Sequence, residues 1–283
     1  MAMISVLTDA MLITLIFALA ALGLAIIFGL VGVINMGHGA MLTLGAYLTW
    51  AATRVGVPFP AAAFSAALGV AIAGLAFEHF VLRYFYDRLL DTLLLTWGFF
   101  LVTTEVIKIV FGTDIRTVAN PLPGAFAIGS FRLPAYRAVV AGLSLTVLLA
   151  TAWVFYRTTL GLKVRALVDN REMASLLGLD VGATYKQIFT FGAFITGLAG
   201  ALISPLLSVY PYIGDTFLVR SFFVVIVGGV GQLLSGTVVG GFIIGGSETL
   251  FALFASQAIA QTVVFALAIV VLRLRPSGVM SSR

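Results

Sequence analysis

Residues 11–33 read MLITLIFALAALGLAIIFGLVGV, without one charged side chain. At about 1.5 Å of rise per residue, a helix of this length covers the roughly 30 Å of hydrocarbon in a bilayer. Backbone groups facing lipid must be hydrogen-bonded within the protein, which leaves helices or a closed barrel as spanning structures. A barrel strand alternates apolar and polar residues. This run does not alternate, so it predicts a transmembrane helix.

Further apolar segments lie outward from it. The set is 10–33, 37–53, 58–82, 91–111, 136–156, 187–208, 217–230, 232–253 and 257–273. The chain is therefore expected to be an all-α integral membrane protein of about eight or nine transmembrane helices, a single transmembrane domain over residues 1–283. Composition agrees: hydrophobic residues make up 61% and charged residues 10%, and the mean hydropathy is +1.15. A water-soluble domain carries about a quarter charged residues. The run after Asp9 is too long for the core of a signal peptide and has no basic region before it, so the first helix is expected to be retained.

The 16 basic and 11 acidic residues leave a net charge of +5, and the basic ones sit in short loops. That is an orientation signal rather than a nucleic-acid surface. Residues 157–186 hold Arg157, Lys163, Arg165, Arg171 and Lys186, and the chain ends with Arg273, Arg275 and Arg283. Both regions are assigned to the cytoplasm. Counting crossings back puts 83–91 inside, 112–135 outside despite Arg116 and Arg132, and the N-terminus outside. There is no cysteine, which removes disulfides and thiolate chemistry. With two histidines a zinc site is not expected. No phosphate-binding Gly-x-x-x-x-Gly-Lys-Ser/Thr occurs, so the chain is not expected to hydrolyse ATP itself.

Two glycine-rich interruptions stand out. Gly32-Val-Ile-Asn35-Met-Gly37-His38-Gly39 breaks an otherwise apolar stretch, and Val227-Gly228-Gly229-Val-Gly231-Gln232 breaks another. Such breaks are candidates for discontinuous helices, around which transporters build solute sites. For the first, spacing favours a simpler reading: a turn at the cytoplasmic interface with Asn35 capping the next helix, because the membrane is already spanned before Asn35. Gly29, Gly32 and Gly37 recur as Gly228, Gly231 and Gly236 at one constant offset. That spacing raises two parallel structural repeats, against the alternative that abundant glycines coincide. Gly236, Gly240, Gly241 and Gly245 follow at small-xxx-small spacing, a packing pattern.

Ionisable residues inside apolar segments are functional candidates by default. Glu105 and Lys108 are placed to neutralise each other. Glu78 and His79 fall beside Arg83 near the cytoplasmic face, where an interfacial pair is the simpler account, and Glu248 has no sequence-local partner. Between residues 160 and 178, Val164, Leu167, Val168, Met173, Ala174 and Leu177 suggest a short surface helix with one apolar face, ended by Gly178. It serves either to dock a cytoplasmic partner or to lie on anionic lipid.

Gly-Leu-Val-Gly-Val-Ile-Asn-Met-Gly-His-Gly-Ala at 29–40, followed by Leu44-Gly-Ala-Tyr47, resembles the signature of branched-chain amino acid ABC permeases. The resemblance continues through Met173-Ala-Ser-Leu-Leu-Gly-Leu179, Val227-Gly-Gly-Val-Gly231 and Arg275-Pro-Ser-Gly278, and so covers nearly the whole chain. Within the family, Thr96-Trp97-Gly98, Asn170-Arg-Glu-Met-Ala174 and Ser221-Phe-Phe-Val-Val225 look more like its urea and short-chain amide branch.

The resemblance implies a permease subunit of an ATP-driven importer in the bacterial inner membrane. It implies a second related permease, two cytoplasmic ATPase subunits holding ATP and Mg, and an external solute-binding protein. It makes Arg165, Asp169, Arg171, Glu172, Met173, Leu177 and Gly178 the contact to an ATPase. The favoured cargo is urea or a short amide, with branched-chain or hydrophobic amino acids as the alternative and a proton-coupled carrier as a distant third. For the solute path, Asn35, His38, Thr96, Trp97 and Gln232 are the candidates, being able to exchange hydrogen bonds with a neutral polar solute. Gly32, Gly37, Gly39, Gly228, Gly229 and Gly231 are the candidate helix breaks.

Overall fold

A computed structural model describes residues 2–128 and 131–280. The side chains of residues 2–10, 127, 128, 131 and 132 lie outside the description, and with them Asp9, Arg132 and Arg283. The chain is helical almost throughout: α1 (Ala2–Val31), α2 (His38–Arg54), α3 (Phe59–Phe80), α4 (Leu89–Phe111), α5 (Ala135–Arg157), α6 (Thr159–Asp169), α7 (Arg171–Leu176), α8 (Val181–Ile203), α9 (Ile213–Gly228), α10 (Ser235–Gly241), α11 (Ser247–Phe251) and α12 (Gln257–Leu274). A π turn (Phe242–Gly246) joins α10 to α11 into one continuous stretch. Among the described residues, six helices are long and apolar enough to cross a membrane. The shorter α2, α9 and α10–α11 complete the nine apolar segments seen in the sequence. The one β element among the described residues, a hairpin of β1 (Ala125–Ile128) and β2 (Phe131–Pro134), lies in the loop between α4 and α5; periodicity in the sequence had pointed to no strand there.

Neighbouring contacts fix the directions. Gly23 meets Thr196 and Ile27 meets Gly192, so α1 and α8 run oppositely. The pairs Phe17–Phe217 and Phe28–Phe222 set α9 parallel to α1. Arg171 forms an ion pair with Asp87, and Tyr185 stacks edge-on to Tyr86 at 5.0 Å. The loops 83–91 and 157–180 therefore share one face, the one expected from its basic residues to be cytoplasmic. Helix α8 is the central post, packed against α1, α2 and α3. Its contact with α2 is made by small residues. A Cβ on Gly200 would sit 2.0 Å from the Leu42 carbonyl oxygen, and one on Gly45 would sit 2.3 Å from that of Gly197. Without a hydrophobic drive between helices in lipid, close backbone approach of this kind supplies the packing energy.

The small-xxx-small glycines behave as packing residues too. Gly240 abuts the Val224 carbonyl on α9, while Gly241 and Gly245 meet Ala18 and Phe17 on α1. The C-terminal motif has a structural role as well. Beyond α12 the chain folds back, and the Val279 and Met280 N–H groups donate to the Val227 and Gly228 carbonyls at 2.8 and 3.1 Å. This strap satisfies carbonyls that the end of α9 leaves open.

Candidate functional site

Helix α1 ends at Val31 because Gly32 takes φ = +77°, a left-handed conformation that costs most other residues. Residues 32–35 have no regular structure, 36–37 form a turn, and α2 starts at His38. His38 is fully buried; its Nδ1 lies 3.3 Å from the Thr196 hydroxyl, and its ring lies against the Ala20 carbonyl without reaching hydrogen-bond geometry. Ala20 lies eleven residues before the end of α1, about 16 Å back along a helix. Six extended residues can cover that distance. The segment therefore climbs back into the bundle instead of turning at the cytoplasmic interface. Asn35 does not cap α2 either: Gly37 is the N-cap position, with no side-chain cap bond. The interfacial-turn reading is corrected on both counts.

Exposed backbone at this depth needs partners within the protein. Thr96 on α4 supplies them: its hydroxyl accepts from the Met36 N–H at 3.1 Å and lies 3.1 Å from the Ile34 carbonyl and 3.0 Å from that of Leu93 as donor. Asn35, between the two clamped positions, is fully buried, and among the described residues neither of its amide atoms nor His38 Nε2 has a hydrogen-bond partner. Asn35, His38 and Thr96 thus come together where α1, α2, α4 and α8 meet. Gly37 and Gly39 belong to the same crossing, packed against Phe99 and Gly214.

Trp97 does not join them. One residue on from Thr96, it faces out of the bundle and is 48% exposed. Gln232 lies in the second break, where Gly229 and Gly231 have φ of +115° and +87°. That break is a tight turn, with Gly228 stacked on Gly236, rather than a long return. The second break packs on the last turns of α1, since a Cβ on Gly29 would sit 3.2 Å from the Gly231 nitrogen. The glycines paired by the constant offset, Gly32 and Gly231, are both left-handed.

A second feature left no mark in local sequence. Glu248, without a local partner in sequence, meets Arg220 of α9, with Glu248 Oε1 accepting from Arg220 Nη2 at 2.7 Å and from Gln257 Nε2 at 2.6 Å. Both side chains of the pair are nearly buried, 10% and 6% exposed. The pair lines a cavity of about 560 Å³ whose remaining wall is largely apolar, from Ile16 and Phe17 on α1 to Leu206 and Phe217. The acids of α3 and α4 that the sequence singled out are spoken for. Glu105 pairs with Lys108 at 2.5 Å, and Lys108 also reaches the Tyr212 hydroxyl. Glu78 accepts from the Tyr86 hydroxyl at 2.9 Å instead of pairing with Arg83, which reaches Tyr84 and His79. Burial, and then the Glu78 carboxylate, push the Tyr86 phenol above its ordinary value.

On the face of loops 83–91 and 157–180 the predicted single helix is two, because Asn170 leaves the helical region (φ −158°, ψ 98°) and its side chain caps α7 through the Met173 N–H. The apolar set splits. Val164, Leu167 and Ala174 are buried, while Val168, Met173, Leu176 and Leu177 are exposed. Gly178, at φ = +85°, ends α7. Arg165 donates to the Phe155 carbonyl at 2.7 Å, and Arg171 is held by Asp87. Asp169 and Glu172 are exposed beside them.

The family model described as "Branched-chain amino acid transport system / permease component" matches residues 6–272. The chain belongs to this family. The permease is 28% identical over 280 residues to the high-affinity branched-chain amino acid transport system permease protein LivH of Escherichia coli (strain K12), covering 93% of this chain and 91% of that protein. It is 26% identical over 285 residues to BraD of Pseudomonas aeruginosa, named in the same terms, with the same two coverages. A 103-residue match at 33% identity links it to a probable LivH of Methanocaldococcus jannaschii, across 36% of this chain and 32% of that one. No solved structure matches the permease. The lean toward the urea and amide branch finds no support in these relatives, and the amino-acid alternative is the one they favour.

Proposed function

We propose that this permease is the membrane subunit of an ATP-driven importer of branched-chain amino acids in the bacterial inner membrane. The observation that carries the reading is the family match along nearly the whole chain, with full-length relatives named for branched-chain amino acid transport. Urea resembles none of the cargo in those names, and the three short motifs that suggested it are local.

The same reading supplies partners: a related permease, two cytoplasmic ATPases binding ATP and Mg, and an external solute-binding protein. A cluster of Met173, Leu176 and Leu177 exposed on a short cytoplasmic helix suits an ATPase groove, with Asp169, Arg171, Glu172 and Gly178 at its rim and Arg165 anchoring α6 to α5. ATP-driven closure of the ATPases would move α6–α7 and, through Arg171–Asp87, the start of α4. Thr96 would pass that movement to the 32–37 segment. In this scheme Asn35, His38 and Thr96 meet the solute at mid-membrane and Gln232 meets it at the second break, with Trp97 in reach only across an interface with the second permease.

The decisive assay is ATP-dependent uptake of labelled leucine and labelled urea into vesicles carrying the reconstituted complex. Leucine uptake that excess urea leaves untouched supports the proposal. Urea uptake that acetamide competes and leucine does not would sink it. Uptake that survives vanadate and follows a proton gradient would point to a carrier working without ATPases.

A further inference from the structure

The cavity bounded by α1, α5, the end of α8, α9, α11 and α12 combines three features that packing alone does not call for. The first is its size and lining. A space of about 560 Å³ falls within the roughly 300–1,000 Å³ of small-molecule sites, which are mainly apolar with a few convergent polar groups. The second is the Arg220–Glu248 pair on its wall, kept although burying two charges is expensive and a well-packed apolar pair would often serve stability as well. The third is the π turn at Phe242–Gly246, which ends one residue before Ser247 and sets the position of Glu248. Such turns inside α-helices occur frequently at functional sites. Among the described residues, Arg220 Nε and Glu248 Oε2 have no hydrogen-bond partner. Both atoms are shut off within the protein, so what faces the cavity is the small exposed part of each side chain, 10% for Arg220 and 6% for Glu248.

We propose that this cavity is a binding site for the zwitterionic head and apolar side chain of an aliphatic α-amino acid. Arg220 takes the carboxylate, Glu248 takes the ammonium, and the Ile16, Phe17, Leu206 and Phe217 wall takes the side chain. Charge balance selects the class of ligand. The pair is neutral overall and lies in a low-dielectric interior, and Arg137, the third charged side chain on the lining, has an interaction of its own, so a ligand of net charge would leave one charge uncompensated there. A zwitterion adds one charge of each sign and turns the pair into a closed ring of four. A small neutral amide such as urea would leave the apolar wall facing water. The site rests on the reading of the permease as an amino-acid importer, and it locates within the bundle a contact that reading leaves open. Ile13 and Gln257 on its lining place it in the outer half of the bundle, above His38.

The test uses the reconstituted complex with its ATPases and binding protein. Uptake of labelled leucine by the unaltered complex examines the cargo, and the variants examine the site. The double variant Arg220→Met with Glu248→Leu removes both charges together, so no lone buried ion remains to unfold the bundle. Thr216→Phe fills the cavity and leaves the pair in place. Assembly is read from co-purification of the ATPase subunits. The expected result is a loss of about tenfold or more in leucine uptake for either assembled variant, the scale of losing a charge-assisted contact. In addition, isocaproate and isoamylamine, each lacking one charge of leucine, should compete poorly with leucine. Normal uptake by both assembled variants would show that the pair only cements the bundle, leaving the cargo reading intact. An unaltered complex that imports urea and not leucine would remove the cargo reading and the site together.

Discussion

Thr96 shows how much one hydroxyl can carry inside a membrane. It closes hydrogen bonds to Met36 and Ile34, backbone groups that no helix satisfies. Thr96→Val keeps the shape and removes the bonds. It should destabilise the purified complex by about 1–3 kcal/mol, the cost of leaving buried polar groups unmade, while Thr96→Ser restores most of it; thermal unfolding in detergent measures both. Gly32 and Gly231 make the complementary case, because their φ values lie where a side chain strains the backbone. Alanine at either position should cost about 1–2 kcal/mol, and unchanged melting of both variants would contradict the left-handed break. The sequence marked these residues as punctuation and named Asn35, His38, Thr96, Trp97 and Gln232, of which the fold brings the first three together. It missed Arg220 as the partner of Glu248, since a contact across α9 and α11 leaves no trace in local spacing.

At the scale of elements, the crossing of α2 with α8 depends on backbone contact rather than on side chains. Gly200→Leu should block assembly of the folded permease, since even a Cβ there would overlap the Leu42 carbonyl; Gly142→Leu on α5, where nothing lies within 4 Å, should leave assembly normal. Recovery of monodisperse protein distinguishes the two. The cytoplasmic elements are tied by Arg171–Asp87, an exposed pair whose contribution to stability should be small, about 0–1 kcal/mol. If it transmits movement, Asp87→Arg should lower ATP-driven uptake without changing the melting temperature, and the exchanged pair Asp87→Arg with Arg171→Asp should recover it. Periodicity revealed the existence of α6–α7 but not the break at Asn170. An apolar face counted from sequence does not distinguish residues turned to the bundle from those turned to the cytoplasm.

For the whole molecule, Met173, Leu176 and Leu177 are exposed, and the proposed importer would meet its ATPases there. Leu176→Asp with Leu177→Asp should abolish co-purification of the ATPases while the permease still inserts and folds, as neither side chain contributes to the core. The sequence by itself determined the helical membrane class and the family. Those properties follow from long apolar runs and motifs spread along the chain, all of them local or additive. Only the tertiary structure decided that residues 32–37 climb back into the bundle, that the second glycine break packs on the end of α1, and that Arg220 and Glu248 share the wall of a cavity. These depend on where distant segments pack, and close packing between helices is set by contacts that no single segment contains.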